Sequence, residues 1–205
     1  TSNHPPYKIP SHYKPLPIQV PDEIKKNWTG DPKLNEGRLL AYQYALNSAG
    51  NFIGAVKADS QISDSLIAMT GDHGFSILPY TLQQAIERLS VPFYLYIPEK
   101  RRPKGPSLFD NQIGSHQDIF PTLFSLSIHE GEFIGLGHDL LKDDEAWGYN
   151  SQNLVTHNGN QLVVFNDHYD IIKTSSEAPP SQTQLDLMAQ KYRALMSIID
   201  WFFDS

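Results

Sequence analysis

Between Glu36 and Ala58, apolar residues recur at Leu39, Tyr42, Leu46, Ala49, Phe52 (beside Ile53) and Val56. Steps of three and four predict a helix with one buried face. Leu39, Leu46, Phe52 and Val56 are therefore expected inside, with Lys57 outside. Asn35 or a neighbour is placed to cap the helix. The period then changes. Leu66 to Thr70 is a short apolar run of strand length, and it stops at Gly71. Leu82 to Leu89 reads as a short helix, and Val91 to Ile97 as a strand with Pro92 at its entry. Ser115 to Leu126 reads as a helix that tolerates Pro121 only in its first turn. Further on, Leu154-Val155 and Leu162 to Phe165 flank Asn158-Gly159, which predicts a hairpin with a tight turn. Residues 167–172 are placed to add a third strand. Beyond Pro179-Pro180, Leu185, Met188, Tyr192, Leu195, Met196, Ile199 and Phe203 mark a final amphipathic helix.

Helix and strand alternate in the front half, which predicts an α/β fold with a mainly parallel sheet between helical layers. The rear hairpin predicts a small antiparallel addition. Residues 1–150 are accordingly read as the main core, and 151–205 as the small sheet plus the final helix. Pro5, Pro6, Pro10, Pro15, Pro17 and Pro21 forbid a long helix at the start. Residues 1–35 are expected to wrap as an extended segment, stapled to the body by Tyr7, Tyr13 and Ile18. Residues 98–111 form a basic, Pro-rich loop.

Composition narrows the class without choosing a function. The 205 residues are 40% hydrophobic and 19% charged, ordinary for a globular domain with a sizeable core. The net charge of −7 argues against a nucleic-acid surface, which needs a basic stripe. Lys100, Arg101, Arg102 and Lys104 read as a solvated loop. There is no cysteine, so disulfides, thiolate catalysis and Cys-based zinc sites are excluded. No apolar run approaches the roughly 20 residues of a membrane span, and no signal peptide is visible. The chain opens on Thr1 in what reads as a loop leaving a strand, so it is expected to be a piece of a longer protein.

The chemistry gathers after the Leu66–Thr70 run, where the sequence continues Gly71-Asp72-His73-Gly74. In α/β proteins ligands bind beyond the carboxyl ends of strands. A hard carboxylate oxygen and an imidazole nitrogen there, on a glycine-loosened backbone, form half a site for a divalent metal. The alternative is a solvated turn in which Asp72 caps the loop and His73 is its hydrogen-bond partner.

Four segments, in order, carry a family resemblance. Thr70-Gly71-Asp72-His73-Gly74 resembles the metal-binding loop of the sulfatase branch of the alkaline phosphatase superfamily. Ser2-Asn3-His4-Pro5-Pro6-Tyr7 resembles a segment of the lipoteichoic-acid-synthase-like phosphoglycerol transferases in that superfamily. Residues 42–57 resemble the helix before the metal loop. Gly114-Ser115-His116-Gln117-Asp118-Ile119-Phe120-Pro121-Thr122-Leu123 resembles the family's later Ser-His-x-Asp-x-x-Pro-Thr-Leu helix start. Residues 135–141 resemble a structural turn of the family.

The resemblance implies an alkaline-phosphatase-like three-layer sandwich, of which this chain is the C-terminal part, truncated on its N-terminal side. It implies metal-dependent transfer or hydrolysis of a phosphoester. Asp72 and His73 become ligands of a divalent ion (Mn, Mg, Zn or Ca). His4 becomes the contact to substrate or leaving group. His116 and Asp118 either support the site from behind or simply cap their helix. The Thr or Ser nucleophile and an acidic ligand lie upstream, outside the chain. The 205 residues alone are thus expected to be inactive, and the longer parent to be the enzyme. Implied substrates are a phospholipid head group or an envelope glycan ester. The implied location is extracytoplasmic, periplasmic or on the outer face of the cytoplasmic membrane, with anchoring by segments further upstream. Two alternatives remain open: a sulfatase or phosphodiesterase acting on a soluble ester, and a noncatalytic envelope-binding module.

Overall fold

The computed structural model describes residues 4–74, 77–81, 84–103, 113–128, 130–142, 147–151, 154–157, 160–165, 168–173 and 181–204. It is a mixed α/β chain that divides into two compact units, Thr1–Arg102 and Pro103–Ser205.

In the first unit, an extended segment precedes the short helix α1 (Asp22–Lys25) and the long helix α2 (Pro32–Ala58). The segment is tied to α2 largely through side chains. The Tyr13 hydroxyl donates to Gln43 Oε1 at 3.1 Å and accepts from Asn47 Nδ2 at 2.6 Å. Gln43 also exchanges hydrogen bonds with the Leu16 backbone. Tyr7 is buried, and its hydroxyl accepts from Arg38 Nε of α2 at 2.8 Å, so Tyr7 and Tyr13 are staples, as expected; Ile18, 39% exposed, is not. Proline leaves this stretch few backbone donors, so amide and phenol groups do the fastening.

The start of α2 departs from expectation. Asp31, not Asn35, is the cap: its carboxylate accepts from Lys33 N at 2.7 Å, with Pro32 in the first turn. Asn35 is buried inside the helix and donates Nδ2 to Thr29 O at 2.8 Å. The helical period was legible, but the buried face is a correction. Val56 is buried and Leu39 half-buried, whereas Leu46 is 49% and Phe52 64% exposed. Periodicity reports which residues share a face, not whether another layer covers it.

The strands described in the first unit are β1 (Ile67–Thr70) and β2 (Phe93–Tyr96). They pair antiparallel, with Ile67 opposite Tyr96 and Thr70 opposite Phe93. The expected mainly parallel sheet is thus not what the described residues form. Helix α3 (Ala85–Leu89) lies between the two strands. The described part of the connection holds this one short helix, whereas the expectation of a parallel sheet came from the alternation of helix and strand patterns, which does not encode strand direction. Leu82, expected to begin the helix, lies outside the described residues.

In the second unit, a 3-10 turn over His116–Asp118 leads into α4 (Ile119–Ser127), with Pro121 in its first turn as required. Four strands follow: β3 (Gly148–Asn150), β4 (Leu154–His157), β5 (Asn160–Phe165) and β6 (His168–Lys173). They form an antiparallel meander in chain order. The expected hairpin is β4–β5, with His157 opposite Asn160; Asn158 and Gly159 themselves lie outside the described residues. Strand β3 has no counterpart in the sequence reading, because three residues carry too little period to detect. Helix α5 (Gln182–Asp204) lays Leu185, Met188, Ala189 and Tyr192 against Trp147 and Leu162 to make the core. Leu185, Met188 and Tyr192 begin the predicted stripe, which continues half-buried through Leu195, Met196 and Ile199; Ala189 was not among the predicted positions. The Tyr192 hydroxyl donates to Asn150 O at 2.9 Å, so the one polar atom at the stripe's centre is satisfied. The Phe203 side chain is outside the described set.

Candidate metal centre

Asp72 and His73 sit in the loop that leaves the carboxyl end of β1, where the strand-Gly-Asp-His-Gly pattern puts them. Their side chains lie together: His73 Nε2 is 3.6 Å from Asp72 Oδ2. Two donors on one ion, each at about 2.1 Å, are at most about 4.2 Å apart, so this spacing fits a shared cation. The imidazole is also turned the right way. His73 Nδ1 lies 3.1 Å from Gly74 O, a carbonyl that can only accept. Nδ1 therefore carries the proton in this bond and leaves the Nε2 lone pair facing the carboxylate, as metal-binding histidines are commonly oriented. Both side chains are exposed rather than sunk in a cleft. Among the described residues, no group of three or more His, Asp or Glu gathers as a ligand set. The chain thus offers two donors of the kind a divalent ion takes, in fitting geometry.

The loop is shaped by its glycines and by an arginine. A Cβ on Gly74 would stand 2.3 Å from Arg88 O, so only glycine permits this approach to α3. Arg88 Nη1 donates to Gly74 O at 3.1 Å, fixing the same carbonyl that orients His73. Sequence reading did not find Arg88; a single cation in a short predicted helix carries no signal for such a contact.

The electrostatics favour an ionised carboxylate. The amides of Asp72 itself and of His73 hold the Asp72 carboxyl below the ordinary carboxylate range. His4 lies in the turn closed by the hydrogen bond from Tyr7 N to His4 O at 2.9 Å, in the same unit as the loop. Ser2 and Asn3, the other polar residues of that motif, lie outside the described residues.

Asp118 and His116 belong to the second unit. Asp118 is 2% exposed and consumed by local bonds. Its carboxylate accepts from Ser115 N at 2.6 Å, Ser115 Oγ at 3.0 Å and His138 N at 2.8 Å. The Thr122 hydroxyl donates to Asp118 O and accepts from Leu140 N. Asp118 thus caps its helix and ties it to the turn at residues 137–140. Gly137 lies so close to this helix start that a Cβ there would meet Gln117 O at 1.9 Å. His116 is exposed. The link to His138 was beyond sequence reading, because the two partners are separated by a loop whose register no periodicity sets.

Comparison with protein-family models gives no match for this chain, and comparison with curated proteins gives none either.

Proposed function

We propose that this chain is the C-terminal part of an extracytoplasmic, alkaline-phosphatase-like enzyme that transfers or hydrolyses a phosphoester with a divalent metal. The observation that carries this reading is the Asp72–His73 pair: two donor atoms 3.6 Å apart at the end of a strand, with the imidazole proton engaged by Gly74 O. The four ordered motifs support the same reading. On it, β1 and β2 are part of a larger sheet in the longer protein.

Asp72 and His73 would hold the ion, which when bound supplies neutralisation of ester oxygens and Lewis-acid activation. Asp72 contributes a carboxylate that its neighbouring amides keep ionised. His4 faces the ester, where a ring N–H can donate to a phosphoryl oxygen or protonate a departing alkoxide. Arg88 keeps the loop carbonyl in place. The nucleophile, a Thr or Ser, and the remaining acidic ligand are proposed to lie upstream in the longer protein, together with membrane-anchoring segments. Substrates of this chemistry are a phospholipid head group or an envelope glycan ester.

The test is Mn²⁺ titration of the 205-residue chain followed by paramagnetic broadening of histidine resonances. Sub-stoichiometric Mn²⁺ should broaden His73 before histidines outside the first unit, and Asp72→Ala should abolish the effect. In the longer protein, Asp72→Ala and His73→Ala should remove phosphodiester turnover. Broadening that ignores Asp72→Ala would refute the metal centre. Turnover of sulfate esters instead of phosphodiesters would move the reading to a sulfatase. Metal binding without turnover in the longer protein would favour a binding module.

A further inference from the structure

Gly74 is forced on the loop by helix α3, and the same residue loosens it. A Cβ there would stand 2.3 Å from Arg88 O, so no other residue fits. Yet glycine leaves its own carbonyl a wider range of directions than any other residue does. That carbonyl is the acceptor for His73 Nδ1 at 3.1 Å. Which nitrogen of a neutral imidazole carries the proton is set by the bond that the other makes. His73 is exposed, and a solvated imidazole favours the opposite tautomer, with its proton on Nε2. Holding the proton on Nδ1 therefore needs an acceptor kept in place, and the Gly74 backbone by itself does not keep it.

Arg88 supplies the restraint. A carbonyl oxygen has two lone pairs, so it can serve two donors at once. Arg88 Nη1 donates to Gly74 O at 3.1 Å, alongside His73 Nδ1. Arg88 thus acts on Gly74 twice: its backbone excludes any side chain, and its guanidinium fixes the carbonyl. The guanidinium is held in turn. Its carbon lies 5.3 Å from the centroid of the Tyr80 ring, within cation–π range. Next to Tyr80, Thr81 N and Oγ1 donate to Gln84 Oε1 at 3.0 and 3.3 Å, which ties this stretch to the residue just ahead of α3. Further along, the chain is fastened separately, by Thr29 N donating to Ile77 O at 2.8 Å. Loss of the Arg88 side chain would therefore free the carbonyl while that second fastening stays.

We propose that Arg88 is a positioning residue that sets the tautomer of His73, with Tyr80 holding its guanidinium. By keeping the proton on Nδ1, Arg88 leaves the Nε2 lone pair for a cation shared with Asp72 Oδ2, 3.6 Å away. The inference rests on reading Asp72 and His73 as the metal centre. Arg88 acts through Gly74 O, not on the ion.

The experiment uses the 205-residue chain with ¹⁵N-labelled histidine, without metal, at about pH 8.5, two units above the ordinary imidazole pKa of about 6.5. Long-range ¹H–¹⁵N spectra distinguish a protonated ring nitrogen from a bare one. In the native chain, His73 should show Nδ1 protonated and Nε2 bare. Arg88→Met removes the donor and keeps much of the bulk. It should lower the ratio of the Nδ1–H to the Nε2–H tautomer by about two- to tenfold, the range for losing one hydrogen bond. Arg88→Lys restores a cationic donor and should recover part of the ratio. Tyr80→Leu alters an exposed ring, and it decides the matter if Arg88→Met does not fold; its ratio should also fall, by less. A merely structural role would lower the melting temperature and leave the tautomer unchanged. The proposal is overturned if Nε2 carries the proton in the native chain, or if Arg88→Met leaves the ratio unchanged. With Arg88→Met unfolded, an unchanged ratio in Tyr80→Leu overturns it equally. The Mn²⁺ broadening of His73 is read separately. Losing it while the tautomer still depends on Arg88 removes the metal centre and leaves the positioning; keeping it while the tautomer ignores Arg88 does the reverse.

Discussion

Replacing Asp118 with Ala should destabilise the second unit by about 3 kcal/mol. The carboxylate accepts two backbone N–H bonds, Ser115 at 2.6 Å and His138 at 2.8 Å, besides the Ser115 hydroxyl. A hydrogen bond to a charged group contributes about 1.5–3 kcal/mol, so the two amides together give about 3–6 kcal/mol. Ser115 and His138 are only half-buried, so water can reach the donors that Ala leaves behind, and the lower end applies. Asp118→Asn preserves shape and one carbonyl acceptor but turns an NH₂ toward the other donor. It should cost about half as much as Ala, near 1.5 kcal/mol. The assay is urea unfolding followed by tryptophan fluorescence, since Trp147 lies in the core of the same unit. Selective loss of that signal's midpoint, with α2 helicity retained by circular dichroism, is the expected pattern. A loss below about 1 kcal/mol for Asp118→Ala would mean that the carboxylate's bonds do no more than water would.

Leu46→Ala should cost less than about 1 kcal/mol, because the residue is half-exposed and leaves no cavity; a core leucine would lose about 2–5 kcal/mol. Thermal denaturation of the pair decides it, and a loss above 2 kcal/mol would mean that this face of α2 is covered in solution. Gly74→Ala must push the loop off Arg88 O and should cost about 1–3 kcal/mol while weakening Mn²⁺ broadening of His73; unchanged broadening would separate the ligand pair from the loop's shape. The Tyr169 hydroxyl donates to Asp186 at 2.6 Å, which lowers the Asp186 carboxyl and raises the Tyr169 phenol from their ordinary values. A lowered acid stabilises above its unfolded pKa of about 4 and loses this as pH falls through the folded value; a raised phenol stabilises below about 10 and loses this as pH rises through its folded value. The difference in melting temperature between the native chain and Tyr169→Phe should thus be widest between those limits and close at both ends; a flat difference would refute the link.

How much was legible follows from what each pattern encodes. Residues 185, 188 and 192 gave the buried stripe of α5 because a sheet covers it and one face is enough to set a period. The same logic misjudged Leu46 and Phe52, since a face without a covering layer has the same spacing. Asp72 and His73 were legible together, being adjacent in sequence and set off by glycines. His4 was singled out only through a motif, with no spacing or period of its own. Arg38, Arg88 and His138 were not, because each acts across 14 to 31 residues of sequence through bonds that no local signal announces. Strand direction failed because it is set by which edges pair in space, and apolar spacing within each strand carries no record of that.

The β1–β2 pair has a consequence for amide exchange. Each strand's only described partner is the other. In an antiparallel pair, residues alternate between exchanging both hydrogen bonds with the partner and pointing those groups outward. About half of the amides from Ile67 to Thr70 and from Phe93 to Tyr96 therefore have no inter-strand acceptor, and should take up deuterium quickly beside slow neighbours. Strands β4 and β5, paired on both sides, should show no such alternation. The Asp72-His73 loop leaves the end of this ribbon, so the alternation of fast and slow amides up to Thr70 would report directly on how firmly the strand end beneath the pair is held.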